Sequence, residues 1–287
     1  MSNLKEIRNR ITSVSSTMQI TSVMKMVSAT KLKKSHDKSL KVKRYSNKFK
    51  GILNNLSSAS LKESSVGLYF RQRECSNRNL VLVITSNRGL CGAFNSNVCK
   101  RVIKEIGENS ANTDILTIGK KGFDLLSKRT NVIDNQSELF NDLTFENVSK
   151  VACDVIDKYL NSYYDRVYVV YNRFKNVSTQ EVVVNRFLPI EEFNADDQTN
   201  GDYIFEPSKI EILEKLIPDF LKIELYSYIL DSYSAEQGAR MTAMHKATDN
   251  ANDIKNQLKV TYNKVRQANI TGEILEIVSG AEALKTQ

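Results

Sequence analysis

Apolar residues near the amino terminus recur three and four positions apart. Leu4, Ile7, Ile11, Val14 and Met18 make a coiled-coil seam, and Asn3 with Glu6 forms a capping pair at its start. The seam is predicted to change register near Ile20, Met24 and Val27. It then loosens through a lysine-rich stretch and resumes at Val42, Tyr45, Phe49, Ile52 and Leu56. Neither proline nor glycine interrupts residues 1–50. A helix over residues 3–57 would run about 80 Å, far beyond the usual helix of roughly three or four turns.

A second long helix is predicted from near Pro207 and Ser208. Pro218 falls early in it, so the expectation is a short helical turn, a kink, and then an unbroken run of about 100 Å over residues 219–284. The distal seam reads Ile254, Leu258, Thr261, Val265, Ala268, Gly272 and Leu275, and the proximal one Tyr228, Ser232, Ala235, Ala239 and Thr242. Small seam residues let two helices approach closely. The two seams are best buried against each other as an antiparallel pair, with the closing helix outreaching the opening one to leave a single-helix tip.

Between the helices the period changes. Residues 79–85, 114–118 and 166–171 are short apolar runs of the kind that make buried strands, and 180–187 is a fourth strand at an edge. Helices are predicted around 93–107, 120–127 and 144–162. Alternating strands and helices argue for an α/β layer with parallel pairing. The predicted fold class is therefore α/β: a long antiparallel two-helix coiled coil made by the termini, with a Rossmann-like α/β domain inserted. The expected boundaries are 1–57 for the first helix, 58–78 for a serine-rich linker, 79–206 for the α/β domain and 207–287 for the closing helix, with a polar loop at 191–202.

Composition adds little to this picture, but charge changes it. Hydrophobic content of 41% and charged content of 26% are those of a soluble, folded chain. No apolar run approaches the ~18 residues that span a bilayer, and the amino terminus lacks the apolar centre of a signal peptide. Residues 1–50 hold thirteen Lys or Arg against Glu6 and Asp37, so this segment carries +11 where the whole chain carries +8, and the rest is slightly acidic. Such asymmetry points to a polyanionic partner or to a solvated helix face.

Candidate chemistry is sparse. Cys75, Cys91, Cys99 and Cys153 form no metal-ligand spacing, and His36 and His245 lie in the long helices. The turn Arg88-Gly89-Leu90-Cys91-Gly92 sits where a phosphate-binding loop would, yet it has two glycines at GxxG spacing where a dinucleotide site needs three. Gly119-Lys120-Lys121-Gly122 lacks the pattern of a P-loop and reads as a strand-to-helix turn. No catalytic constellation stands out, so no catalytic, metal or cofactor-binding residue is assigned. Two rival readings stay open on these residues: a Rossmann-like nucleotide-binding enzyme, and a coiled-coil nucleic-acid tether.

Longer motifs are more specific. The opening holds Lys5-Glu6-Ile7-Arg8, Ile20-Thr21, Met24, Met26-Val27 and Lys31, and the centre holds Arg88 to Asn95. The closing block holds Ala239-Arg240-Met241, Ala243-Met244, Ala247-Thr248-Asp249-Asn250-Ala251, Tyr262-Asn263-Lys264, Arg266-Gln267-Ala268, Ile270-Thr271, Glu273 and residues 276–281. On these blocks the chain resembles the gamma-subunit family of the F-type ATP synthase, the central rotor stalk, in its bacterial form. Residues 100–205 match that family in pattern only.

The resemblance implies a non-catalytic shaft carrying torque between a membrane ring of c subunits and a head of alpha and beta subunits, with ATP made or hydrolysed on the beta subunits. It implies an epsilon subunit as a further partner, no nucleic acid, no cofactor, no transmembrane segment, and a place on the cytoplasmic face of the bacterial membrane. It also implies subunit contacts. Met24, Lys25 and Arg240 would lie where the coiled coil meets the catalytic subunits. Lys31, its neighbouring lysines and Arg88 would face acidic loops of beta. Arg266, Gln267, Thr271 and Glu273 would make polar contacts within the upper head.

Overall fold

The computed structural model describes residues 4–56, 65–71, 78–107, 112–191, 206 and 208–285. At its centre five strands form one sheet in the order β3-β2-β1-β4-β5. They are β1 (Asn79–Ile84), β2 (Thr113–Ile118), β3 (Val132–Asn135), β4 (Arg166–Phe174) and β5 (Gln180–Leu188). β1 runs parallel to both β2 and β4, β2 is parallel to β3, and β5 closes one edge antiparallel to β4.

The period-two alternation of side chains gives the sheet two buried faces. Leu80, Leu82 and Ile84 of β1, Leu116 and Ile118 of β2, and Val167, Val169 and Tyr171 of β4 share one face. They pack there with helix α4 (Phe145–Leu160), with Leu53 of α1 (Leu4–Leu56), and with Leu213, Ile217, Leu225 and Ile229 of α5 (Lys209–Lys285). Val81, Val83, Ile115 and Val170 point the other way, onto α2 (Phe94–Ile106) and onto Leu126 of α3 (Lys120–Leu126). Burial on both sides is why the central strands read as continuous apolar runs.

Four expectations need correction. The opening seam does not change register. Its inward track runs Leu4, Ile7, Ile11, Val14, Met18, Thr21, Lys25, Ser28, Leu32, Ser35, Ser39, Val42, Ser46, Phe49 and Leu53, each buried or half-buried and spaced three and four throughout. Ile20, Val27, Tyr45 and Ile52, counted as seam from their hydrophobicity, are exposed. Small polar residues carry the middle of the seam, so following apolar residues alone led onto another face.

The distal seam of α5 is displaced in part. Leu258, Val265 and Gly272 are half-buried as expected, and Met244, Thr248, Ala251 and Tyr262 also lie inward, whereas Ile254, Thr261, Ala268 and Leu275 are exposed. Pro218 does not divide the closing helix, which is continuous from Lys209. Ile217, Phe220 and Leu221 beside it are buried in the core, and that packing holds the helix through the local defect. Its start is capped by Ser208, whose Oγ accepts from the Glu211 amide at 3.3 Å and donates to Glu211 Oε1 at 3.1 Å. The fourth correction is β3, a strand absent from the sequence reading. It has four residues, none of them buried, too few and too polar for a periodicity to show.

Part of the predicted linker is structured. Residues Ser65–Tyr69 form a 3-10 turn with Val66 fully buried, and the Tyr69 carbonyl accepts from the Ile190 amide at 2.9 Å. Most of the polar loop at 191–202, residues 58–64 and 72–77 of the linker (Cys75 among them) and Asn3 lie outside the described residues. The chain divides into two compact units, residues 28–240 and residues 1–27 with 241–287. In the first unit α1 and α5 pair antiparallel through Ser35 with Ser234, Lys43 with Asp231 and Phe49 with Phe220. In the second they pair antiparallel through Thr21 with Thr248 and Lys25 with His245.

Candidate functional site

The turn after β1 is a rigid, internally bonded structure. Asn95, at the start of α2, accepts the Ser86 amide on Oδ1 at 3.0 Å and donates from Nδ2 to Ser86 Oγ at 2.8 Å and Cys91 Sγ at 3.3 Å. Ser86 Oγ donates in turn to the Arg88 carbonyl at 2.7 Å. Leu90 and Gly92 take positive φ values of 64° and 60° to close the loop. Burial raises the Cys91 thiol and pushes Cys99 up to about 11, the direction that disfavours a reactive thiolate.

The turn after β2 is locked onto it. The Gly122 amide donates to Thr85 Oγ1 at 2.9 Å, the Lys121 amide to the Ser86 carbonyl at 3.0 Å, and the Lys120 amide to Asn87 Oδ1 at 3.1 Å. Those are the amides a phosphate would need at the start of α3, and they are engaged within the chain. Gly119 is required here: its φ is +120°, and a Cβ would lie 2.3 Å from the Thr85 carbonyl oxygen.

In an open α/β sheet a ligand sits beyond the carboxyl ends of the strands, where the strand order reverses. Here that point lies between β1 and β4, and α5 fills it. Ala235 and Ala239 pack with Cys91, Phe94 and Phe174, and a Cβ on Gly238 would lie 3.2 Å from the Phe174 ring. Arg240 reaches onto the turn itself, its Nη2 donating to the Arg88 carbonyl at 2.9 Å and the Gly89 carbonyl at 3.3 Å. Its Nη1 pairs with Glu236 Oε1 at 2.6 Å, and the two side chains are only 10% and 7% exposed. Burial raises the Glu236 carboxyl, against the downward pull of the Arg240 guanidinium.

The predicted contact residues therefore fall into three groups. Arg240 is held inside the 28–240 unit, and Arg88 offers its carbonyl to it while its side chain is exposed. Met24 and Lys25 lie half-buried beside the helix pair, Lys25 Nζ being 3.4 Å from His245 Nδ1, and Lys31 is exposed. Arg266, Gln267, Thr271 and Glu273 are all exposed, on a stretch of α5 where only Gly272 of residues 266–282 is even half-buried. Ile270, Ile274, Leu275, Ile277 and Val278 on that stretch are apolar and between 43% and 71% exposed.

Sequence reading missed Glu236, Ser86 and Asn95 as parts of one network. The available signal was Glu236 and Arg240 at i,i+4 inside a run of Ala and Gly, where two opposite charges at a close-packed surface need each other. The basic stretch of α1 is also less free than it reads. Lys43 Nζ pairs with the buried Asp231 at 2.7 Å, and Lys38 Nζ donates to the Leu143 carbonyl at 3.3 Å and lies 5.5 Å from the centre of the Tyr226 ring.

A Rossmann-type sheet whose ligand crevice is filled by a helix of the same chain is the class of fold these residues define. The comparisons with known proteins give the family. The model described as ATP synthase matches residues 3–284, and the chain belongs to that family, among its gamma chains. It is 57% identical to the ATP synthase gamma chain of Flavobacterium psychrophilum, over 99% of this chain and 100% of that one. It is 48% identical to that of Cytophaga hutchinsonii, covering 99% of each. Among solved structures, a chain of the Euglena gracilis mitochondrial ATP synthase (OSCP, F1 and c-ring) is similar with a TM-score of 0.68 and 22% identity, over 98% of this chain and 94% of that one. A chain of the Tetrahymena thermophila central stalk and c-ring gives 0.58 and 25%, over 79% of this chain and 99% of that one.

Proposed function

We infer that this chain is the central rotor shaft of a bacterial F-type ATP synthase. It carries torque between a membrane ring of c subunits and a head of alternating alpha and beta subunits, with an epsilon subunit beside its α/β domain. The observation that carries the reading is the full-length similarity to gamma chains, joined to a sheet crevice occupied by Arg240, Ala235 and Ala239 of the chain itself. The shaft does no chemistry. ATP is formed or hydrolysed on the beta subunits, and the shaft couples their affinities to ion flow in the membrane sector. No described helix is long and apolar enough to cross a membrane, and the chain is read as peripheral, on the cytoplasmic face, held there by its partners.

Contact roles follow from position. Arg266, Gln267, Thr271 and Glu273 present polar groups from the exposed end of α5 to the upper head. Met24 and Lys25 meet the catalytic subunits lower down, and Lys31 and the Arg88 side chain offer positive charge to acidic loops of beta. Several weak contacts suit a shaft, because one deep energy minimum would stop it. Arg240 belongs to the shaft's own scaffold.

The test is affinity capture of the tagged full-length chain from its native membranes. Alpha and beta subunits are expected in the captured complex, and their absence overturns the reading. Removing residues 266–287 is expected to lower ATP-driven proton pumping while leaving nucleotide sites on the head intact.

A further inference from the structure

Within residues 28–240, two kinds of contact join α5 to the sheet. From Leu213 to Leu230 the helix is embedded in the main core beside β1, β4 and α4. Farther along, at Ala235, Gly238 and Ala239, the contact becomes small and smooth: methyl groups and a bare backbone against Phe94, Cys91 and Phe174. A surface of that kind resists separation, but it offers little resistance to turning of the helix about its own axis. Dispersion contacts have no preferred direction.

Arg240 supplies direction at that end. Its planar guanidinium is fixed on one side by Glu236, and on the other it donates to two successive backbone carbonyls, Arg88 and Gly89. The acceptors cannot swing away as a side chain would. They belong to the turn that Asn95 and Ser86 hold to α2 and that the second turn braces through Thr85. Arg240 is also the last residue of the 28–240 unit, and from Met241 onward α5 belongs to the other one.

On the rotor reading above, we propose that Arg240, oriented by Glu236, is the torsional peg of the shaft. It fixes the rotational setting of α5 against the α/β domain, so that torque entering the domain turns the helix without slack. Arg240 acts here as a positioning residue, with no contact to nucleotide. Glu236 sets the guanidinium plane, and the carbonyls of the Arg88-Gly89 turn take the load.

The test uses the assembled membrane enzyme with the head fixed and a probe on the c-ring, recording the width of the probe's angular fluctuations during pauses, alongside protons pumped per ATP hydrolysed. Arg240→Met keeps the buried stem and removes the hydrogen bonds. It is expected to broaden the fluctuations and lower the pumping ratio at equal gamma content. Arg240→Lys, which restores the charge with a single donor group, is expected to fall between Met and the parent. Glu236→Gln, which retains an acceptor for Arg240, is expected to broaden the distribution less than Arg240→Met. A lower yield of assembled enzyme would mark a general folding role, but fluctuation width is read on assembled enzymes only. Should Arg240→Met fail to assemble, the Lys variant carries the same comparison. Fluctuations as narrow as the parent's in the Met variant, or in the Lys variant where Met does not assemble, overturn the peg. A parent chain that does not enter a rotary enzyme at all overturns the rotor reading instead.

Discussion

The closing helix lives in two environments. From Phe220 to Arg240 no residue is exposed, and the helix is enclosed on every side. From Met241 to Val265 only Met244 and Ala251 are buried, and beyond that the surface is open. Enclosure forces each charge in the first stretch to find an answer. Asp231 has Lys43, Glu236 has Arg240, and Glu224, whose carboxyl is raised by burial, accepts from Tyr228 at 2.6 Å. The second stretch leaves Ile254, Val260, Ile270, Ile274 and Ile277 exposed, more apolar surface than a free helix needs and what a surface for neighbours requires. One helix thus serves as a core element over one stretch and, on the proposed function, as a bearing over the other.

The largest expected effect lies in the α/β domain that encloses the first stretch, at the turn between β2 and α3. Gly119→Ala must place a methyl group against the Thr85 carbonyl in a backbone region that alanine avoids, so a loss above about 4 kcal/mol is expected. Urea unfolding of the chain, or failure to recover it soluble, checks this. A variant that unfolds within about 1 kcal/mol of the parent would mean that the two turns are not rigidly joined.

Next is one substitution made in both environments. Leu225 is fully buried in the core, whereas Leu258 is half-buried in the helix pair. Leu225→Ala is expected to cost about 3 kcal/mol, and Leu258→Ala about 1. Equal losses in denaturant titrations would erase the distinction between core and bearing.

The sequence made most of this contrast readable, and its failures share a cause. β1, β2 and β4 announced themselves because both their faces are buried. The small residues of α5 mark close packing, but Ala235 and Ala239 meet Cys91, Phe94 and Phe174 of the α/β domain, while Asp231 and Ser234 are the residues that meet α1. On α1 hydrophobicity favours Ile20 and Val27, which face outward, over the small buried Thr21, Ser28, Ser35 and Ser39. Hydrophobicity thus predicts burial in a core but not along this helix pair. The resemblance implies a subunit contact for Arg240, and nothing local in the sequence says that its neighbours in space are the carbonyls of Arg88 and Gly89.

A pH titration sharpens the comparison from a different side. Burial is the main cause that raises Tyr164 and Tyr171 above the ordinary tyrosine value of 10.0, and both belong to the 28–240 unit. The folded chain keeps these protons where the unfolded chain releases them, so the folded state holds more protons and stability falls as pH rises through that value. The slope is about 1.4 kcal/mol per pH unit for each such tyrosine. Tyrosinate absorbance that rises together with loss of tertiary circular dichroism would bear this out. Tyrosinate appearing while the fold persists would count against it.

The smallest effects lie in two glycines of the same helix. A methyl group added at Gly272 would meet no described atom within 4 Å, and the backbone there is ordinary helix. Gly272→Ala should stabilise the exposed end by up to about 1 kcal/mol through helix propensity. Gly238→Ala has the same propensity gain, but its methyl would lie 3.2 Å from the Phe174 ring. That ring also packs against His36, with centroids 5.2 Å apart, so it has little room to move. The gain should therefore be cancelled or reversed, and a small loss of stability is expected. Hydrogen exchange resolves both, with slower exchange near residue 272 in the first variant and unchanged or faster exchange near residue 238 in the second. If both glycines respond alike, the crevice beside Phe174 is not closely packed, and the distinction between enclosed and open helix fails at the place where Arg240 is meant to hold it.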